Sequence, residues 1–407
     1  MKDVIADLRD LLGRLPAGSE IARRMSDAGV AAGDLITLGD LARIPVLKKE
    51  NLPALQREPG AVDAFLPFGG LRKSARIFYS PAGIFDYESR DSGHWRSAQV
   101  IGAARIGPGD VVLNTFSYHM TPAARMFDDS AIAAGASVVP SGPGQIPMQL
   151  DIMRRLGVTA FVGLPSFLNM LIEAAQEQGL DWKTEFRLSR AIVGAEPISA
   201  AARRRFEEEF GIEVFTIYGT ADIGIIGYEC ERHQGWHVDD DMIVQICDPD
   251  SGQPLGAGEV GEVVVSLARE HYPLVRFATG DLSRMEDGPD SRPCACGRHG
   301  MRLTGILGRA NQTVKVRGMF VYPVFAGEIA RAHDWIEAVR IRVERAGEND
   351  VMRILVLPKS GAPVPSDLSS VEKTVREVTK LRGDVELADQ AAFRQSDKIV
   401  EDVRKWD

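Results

Sequence analysis

The sequence predicts an α/β fold: a large N-terminal domain with parallel sheets and an antiparallel subdomain, followed by a small mobile α+β domain. Three observations carry this. From about residue 108, short apolar strands alternate with helical segments; after 235 the apolar runs are separated by tight turns; near 308 a third texture of paired strands and one helix begins. At 407 residues the chain exceeds one ordinary domain, and the boundary is placed at 1–307 and 308–407.

The elements follow in order. Val4, Ile5, Leu8, Leu11, Leu12 and Leu15 share one face of an opening helix, an apolar stripe that packs on the body. Val111–Asn114, Ser137–Pro140, Thr159–Gly163, Arg190–Ala195 and Glu213–Tyr218 read as strands. Helices over Pro122–Ala134, Met148–Leu156, from Pro165, and over Ala200–Phe210 separate them, so right-handed crossovers and a parallel sheet are expected. Met242–Cys247, Gly261–Leu267 and Pro273–Phe277 form the antiparallel part. Ala338–Val343 and Met352–Leu357 pair around the turn at Gly347-Glu348-Asn349-Asp350, ahead of a helix over Asp367–Leu381 and a strand over Asp384–Leu387.

Composition narrows the class. Hydrophobic residues are 44% and charged residues 26%, ordinary for a globular chain. A net charge of −9 argues against a nucleic-acid surface, and no apolar run approaches the roughly 20 residues of a membrane span. Met1-Lys2-Asp3-Val4 leads into the first helix without a signal-peptide core, and four cysteines form no disulfide framework. A cytoplasmic enzyme is expected.

In open parallel sheets ligands bind beyond the carboxyl ends of the strands. Gly194-Ala195-Glu196-Pro197 and Tyr218-Gly219-Thr220-Ala221-Asp222 stand at two such ends. Glycine permits close approach of a ligand, Tyr218 offers a flat face to a purine, and the Asp222 carboxylate suits a divalent cation. Asp281, in Arg276-Phe277-Ala278-Thr279-Gly280-Asp281, is suited to a ribose diol. Gly308-Arg309-Ala310-Asn311, Lys315-Val316-Arg317-Gly318 and Ser396-Asp397-Lys398 complete an ordered series, although a tail lysine by itself reads as a solvated charge.

In order and spacing these segments resemble the adenylate-forming ligases, and most closely the phenylacetate–coenzyme A ligase branch, from about residue 110 to the C-terminus. The resemblance implies an acid–coenzyme A ligase. ATP and a small, aryl or arylacetic carboxylate give an acyl-adenylate, a mobile C-terminal domain rotates, and the acyl group passes to coenzyme A. It further implies that Gly194, Ala195, Glu196 and Pro197 flank adenine, that Tyr218 stacks on it beside Gly219, and that Thr220 touches the α-phosphate. Asp222 takes the place of a Mg²⁺-binding glutamate, Asp281 with Arg309 holds the ribose, Asn311 stands at the hinge, and Lys398 steadies the transferring phosphate. Relatives suggest a homodimer.

The chain departs from that pattern at the loop expected to cradle the terminal phosphates. Phe78-Tyr79-Ser80-Pro81-Ala82-Gly83-Ile84-Phe85 retains Ser80 and Gly83 but has no threonine and no lysine, and Pro81 removes a backbone donor. Either Lys73 and Arg76 compensate or ATP is not the substrate. The latter leaves a nucleotide- or acyl-CoA-binding homologue, or an ATP-independent acyltransferase; an adenylating enzyme with an amine or carrier-protein acceptor is a further alternative. For the acid, Phe116, Tyr118 and Met120 suit one wall of a pocket with His119 or Arg125 near the carboxylate, and Phe161 to Ser166 the other; ordinary core packing accounts for the same residues. Asp128-Asp129 reads as a solvated helix face. Cys230, Cys294, Cys296 and His237, with His233 as a rival, offer a closed tetrahedral zinc site if their loops meet; otherwise the thiols are free and reduced. Cys247 reads as core.

Overall fold

The computed structural model describes residues 4–80, 82–91, 93–286, 294–298, 300–316, 319–346, 349–394 and 398–404. The chain divides into two compact units. One comprises Met1–Thr279 with Ser283–Gly305, the other Gly280–Leu282 with Ile306–Asp407.

The larger unit is built on an eight-stranded sheet. Its parallel half, from the edge inward, is Ser137–Pro140, Val111–Asn114, Ala160–Gly163, Arg190–Val193 and Glu213–Thr220. Gly224–Tyr228, Trp236–Val238 and Arg302–Leu303 continue it antiparallel. Successive side chains point to opposite faces, and the burial follows that period. Val112, Val162, Ile192 and Phe215 join one core with Phe116 and with Phe127 and Ala131 of the helix Arg125–Ala133. Leu113, Phe161, Ala191 and Val214 join another with Leu150, Met153, Leu168 and Leu171 of the helices Ile146–Leu156 and Pro165–Glu177. The helix expected over Ala200–Phe210 is α-helical only over Ala200–Arg204 and widens into a π turn over Arg205–Glu209.

A second sheet orders Leu47–Lys48, Leu274–Ser283, Gly261–Leu267 and Met242–Cys247, with the first strand parallel to its neighbour. The opening helix, Val4–Gly13, buries Leu8 and Leu12 against Ile21, Ile44, Ile243 and Val275. Arg276 is the bulkiest side chain in this unit with about 1% exposure. It donates to the carbonyls of Ile44 and Gly252 and, at 2.8 Å, to Gln245 Oε1. Cys247 is fully buried beside it, as expected for core. A hairpin pairs Arg76–Tyr79 with Phe85–Glu88.

In the smaller unit Ile336–Ala346 and Asn349–Pro358 pair antiparallel, flanked in parallel by Val400–Asp402 and Asp384–Leu387. Ile341, Ile354 and Val356 form its core with Ile329 of the helix Pro323–Arg331 and Val371 and Val375 of the helix Ser369–Thr379. Gly347 and Glu348 of the expected turn lie outside the described residues. Among the described residues no helix is long and apolar enough to cross a membrane.

Candidate functional site

Two strand ends of the parallel sheet build the rim. Gly194 is buried where Arg190–Val193 stops; a Cβ there would stand 2.4 Å from Ile217 Cδ1, so a side chain at this position would force Ile217 of the neighbouring strand to shift. Ala195 has φ +64, which turns Glu196 and Pro197 outward, and both are exposed. Beside them opens a cavity of about 280 Å³ walled by Pro165, Ser166 and Asn169 and by Ile198. Glu196 Oε2 accepts from the Ser166 amide at 3.4 Å.

On the adjacent strand, Tyr218 is 6% exposed. Its ring stacks on Trp236 with centroids 5.6 Å apart and 15° between planes, and its hydroxyl donates to Thr279 Oγ1 at 3.0 Å. The register shifts between Tyr218 and Gly219, and Gly219 passes so near the return strand that a Cβ would lie 2.6 Å from the Gly224 carbonyl oxygen. Thr220 is half-buried and its Oγ1 accepts from the Ile223 amide at 3.2 Å.

Asp222 closes this turn with its side chain wholly inside the protein. Lys49 Nζ donates to its Oδ2 at 2.5 Å. Asp86, 1% exposed, lies against it. Burial, and then the Asp222 charge, push the Asp86 carboxyl well above the usual carboxylate range. Arg96 and Arg269 both donate to the next carbonyl, that of Ile223, the latter at 3.0 Å. A magnesium ion needs an octahedron of oxygens and keeps several waters. A sealed carboxylate carrying an ammonium does not fit that need. Lys49, Asp86, Arg96 and Arg269 are invisible to motif reading, because isolated Lys, Asp and Arg at distant positions carry no spacing signal.

The loop expected to cradle phosphates is a closed hairpin turn. Ser80 N donates to Ile84 O, Gly83 N donates to Ser80 O, and Ile84 N donates to Ser80 Oγ at 3.2 Å. Tyr79 packs on Phe85 across its mouth at 4.7 Å. Arg76 is engaged by Glu88 at 2.6 Å, and Pro81 lies outside the described residues.

In the expected acyl region Asp128 is a correction: it is 5% exposed and organises the site. Its Oδ1 accepts from Asn114 Nδ2 and from the Tyr118 hydroxyl, each at 2.8 Å, and its Oδ2 from Arg125 at 3.3 Å. The helix Arg125–Ala133 begins one turn before this residue, so Asp128 points back toward the strand end and only Asp129 faces water. Phe116 is buried and stacks on Phe127 at 5.7 Å and 19°; His119 and Met120 are exposed.

In the smaller unit Arg309, on the short strand Gly308–Arg309, pairs with Asp281 near the end of Leu274–Ser283 across an antiparallel ladder. Asn311 and Lys398 are exposed; Arg317, Gly318, Ser396 and Asp397 lie outside the described residues.

Cys230, His237, Cys294 and Cys296 converge, their ligand atoms all within 4.8 Å of one another. Cys230 and Cys294 sulfurs are 3.9 Å apart, and Cys296 Sγ is 3.6 Å from His237 Nε2. Zinc bonds of about 2.3 Å to sulfur and about 2.0 Å to nitrogen give tetrahedral edges of about 3.8 Å and about 3.5 Å, so the cluster has the dimensions of a zinc site. Burial, followed by Arg298 and Arg302, lowers the His237 pKa and favours the neutral, ligating imidazole. His233 is directed elsewhere, to Arg203 and Glu229. Pro293 lies outside the described residues.

Comparison with known proteins gives this geometry its setting. Residues 93–268 match the family described as AMP-binding enzyme. The phenylacetate–coenzyme A ligase of Thermus thermophilus is 29% identical over 351 residues, 82% of this chain and 76% of that one. The enzyme of the same name from Escherichia coli is 27% identical over 349 residues with the same coverage. Over residues 93–268 the chain is similar to the AMP-binding enzymes, and over most of its length to phenylacetate–coenzyme A ligases. Its fold is shared with 2-hydroxyisobutyryl-CoA ligase in an open conformation, with a TM-score of 0.82 at 22% identity, covering 97% of this chain and 89% of that one. MatB from Rhodopseudomonas palustris is a more distant neighbour, with a TM-score of 0.54 at 20% identity over 77% of this chain and 64% of that one. Within this setting, the AMP-binding match takes in the rim residues from Gly194 to Asp222.

Proposed function

We propose that this enzyme activates a small carboxylic acid with ATP and transfers the acyl group to coenzyme A. In the first half-reaction a carboxylate oxygen attacks the α-phosphorus and the bond to the β-phosphate oxygen breaks, releasing pyrophosphate. In the second, the coenzyme A thiolate attacks the acyl carbonyl and AMP departs with the bridging oxygen. The observation that carries this reading is the rim itself. Gly194–Pro197 and Tyr218–Asp222 stand at adjacent strand ends inside the segment that matches the AMP-binding family, and Glu196 and Pro197 border a cavity roomy enough for a purine. Adenine is assigned to the Glu196–Pro197 side, the α-phosphate to Thr220, and the ribose to Asp281 with Arg309.

Lys398 is assigned to the transferring phosphate, whose accumulating negative charge an ammonium stabilises; the domain 308–407 moves between the two half-reactions. An aryl or arylacetic acid is the proposed substrate class. The relatives named above are called phenylacetate ligases, and the Phe116–Phe127 stack offers an aromatic wall next to the Tyr118–Asp128 pair. Cys230, His237, Cys294 and Cys296 are assigned to a structural zinc ion, which would fasten the 230 and 294 loops together. A cytoplasmic homodimer completes the reading.

Acid-dependent pyrophosphate release, scanned over aryl, arylacetic and short aliphatic acids, tests the first step. Silence with every acid refutes it. Lys398→Ala is expected to lose pyrophosphate release at least a hundredfold while still passing a supplied acyl-adenylate to coenzyme A; equal loss of both steps removes Lys398 from its role.

The closed Ser80 hairpin supports a second reading, an acyl-transferring homologue that does not use ATP. Calorimetric titration separates the two: binding of AMP and coenzyme A with no detectable binding of ATP favours the second.

A further inference from the structure

We propose that Lys49 is a built-in cation that occupies the carboxylate at position 222, so that no divalent ion is bound there and Asp222 serves to position the nucleotide turn. The Nζ–Oδ2 distance is 2.5 Å, the Asp222 side chain has no exposure, and the Lys49 side chain is only 26% exposed. The lysine is aimed by its surroundings. Leu47, 4% exposed, pairs in parallel with Phe277, Lys48 pairs with Ala278, and a single 3₁₀ turn then starts at Lys49. A long, flexible side chain is thereby launched from a fixed backbone, which lowers the entropy cost of holding its ammonium on one acceptor.

With the Lys49 ammonium in place, the surroundings leave a divalent ion no place. Asp86 enters from the hairpin strand Phe85–Glu88, and Tyr87 and Tyr272 pack beside it with rings 5.1 Å apart. All three are at most 1% exposed. A hydrated ion bound at Asp222 would have to displace the ammonium and open this packing. The Lys49–Asp222 pair instead ties the 220–223 turn to the strand at 47–48, while Arg96 and Arg269 hold the same turn from its Ile223 carbonyl. Thr220 and Tyr218 are thus delivered to the rim by charges within the protein.

The inference deepens the adenylation reading, but its test uses neither acid, ATP nor coenzyme A, so failure of one leaves the other standing. Mn²⁺ is titrated into the nucleotide-free, full-length protein and free ion is followed by electron paramagnetic resonance. Wild type and Asp222→Asn are expected to bind equal numbers of Mn²⁺ ions. Lys49→Met, which removes the charge and leaves the Asp86–Asp222 pair, is expected to gain one equivalent, and Lys49→Met/Asp222→Asn to lose it again. If Asp222→Asn binds one ion fewer than wild type, or if folded Lys49→Met gains none, the proposal is overturned. Should the Lys49→Met chain not fold, the comparison of wild type with Asp222→Asn decides.

Discussion

Replacing Asp128 by alanine removes the acceptor of three donors at once, and the cost can be worked from their geometry. Asn114 is 1% exposed and Tyr118 half-buried, and both donate to the same oxygen, Oδ1, at 2.8 Å. A hydrogen bond to a charged group is worth about 1.5–3 kcal/mol, and a buried donor left without an acceptor costs about as much. Arg125 contributes less, because its bond is 3.3 Å long and its side chain is 23% exposed; about 0.5 kcal/mol is a fair share. Asp128→Ala should therefore destabilise the larger unit by about 3.5–6.5 kcal/mol. Asp128→Asn is expected to behave differently. An asparagine can keep its amide oxygen in the Oδ1 position and satisfy both short bonds, turning its NH₂ toward Arg125, so the loss is about 1 kcal/mol. Guanidinium denaturation followed by tryptophan fluorescence reads both variants. Acid selectivity of the alanine variant should also broaden, since the Tyr118 hydroxyl is released from its anchor. If both substitutions change stability by less than about 0.5 kcal/mol, as on an ordinary solvated helix face, the assignment of Asp128 as an organising carboxylate is wrong.

Other expectations follow from single observations. Purified protein should carry one zinc per chain by elemental analysis, and Cys296→Ser should lower that content and the melting temperature together; undialysed wild type without zinc refutes the site. Gly219→Ala drives a methyl group to 2.6 Å from a backbone oxygen that cannot rotate away, so a loss of about 1–3 kcal/mol is expected, with nucleotide affinity falling alongside; an unchanged melting curve contradicts the close approach. Trp236→Ala should weaken AMP binding measured by calorimetry, because it removes the ring that backs Tyr218; AMP affinity equal to wild type would show that the stack does not orient Tyr218.

Much of the fold was legible because strands buried on both faces leave an unbroken apolar run. Val111–Asn114 and Gly261–Leu267 lie where the pattern places them, as does the half-exposed edge strand Ser137–Pro140. Element ends drifted where polar residues continue an element by pairing, as in the strand Leu274–Ser283, which runs six residues past Phe277. The convergence of the Cys/His cluster was legible because cysteine is scarce and its chemistry narrow: three of four cysteines meet one histidine. Choosing His237 over His233 needed only the strand Trp236–Val238, whose pairing with Gly224–Tyr228 brings it beside the Cys230 loop. Asp128 was misread because a pair of acidic residues in a first helical turn matches solvent on pattern alone, and its partners Asn114 and Tyr118 lie on the preceding strand end. Lys49 was missed for the same reason at greater range: 173 residues separate it from Asp222.

The altered phosphate loop and the lysine at 49 are two parts of one arrangement. The hairpin that contains Ser80 continues directly into Asp86, and Asp86 lies against Asp222, which closes the turn carrying Tyr218 and Thr220. Lys49 sits on that carboxylate. The hairpin turn is closed by its own backbone bonds and holds no cation, while a few residues further along its second strand leads into a buried cluster that does. Positive charge has thus been placed under the nucleotide turn instead of in the loop above the phosphates. A charge in that position orders the turn before any ligand arrives. It also contributes less to a departing pyrophosphate than a lysine reaching over it, because interactions realised only in the transition state are the ones that speed a step. Under the proposed assignment, the first half-reaction would depend on Lys398 more heavily than it would with a basic phosphate loop. That dependence makes the separation of the two half-reactions in Lys398→Ala the sharpest measure of the mechanism.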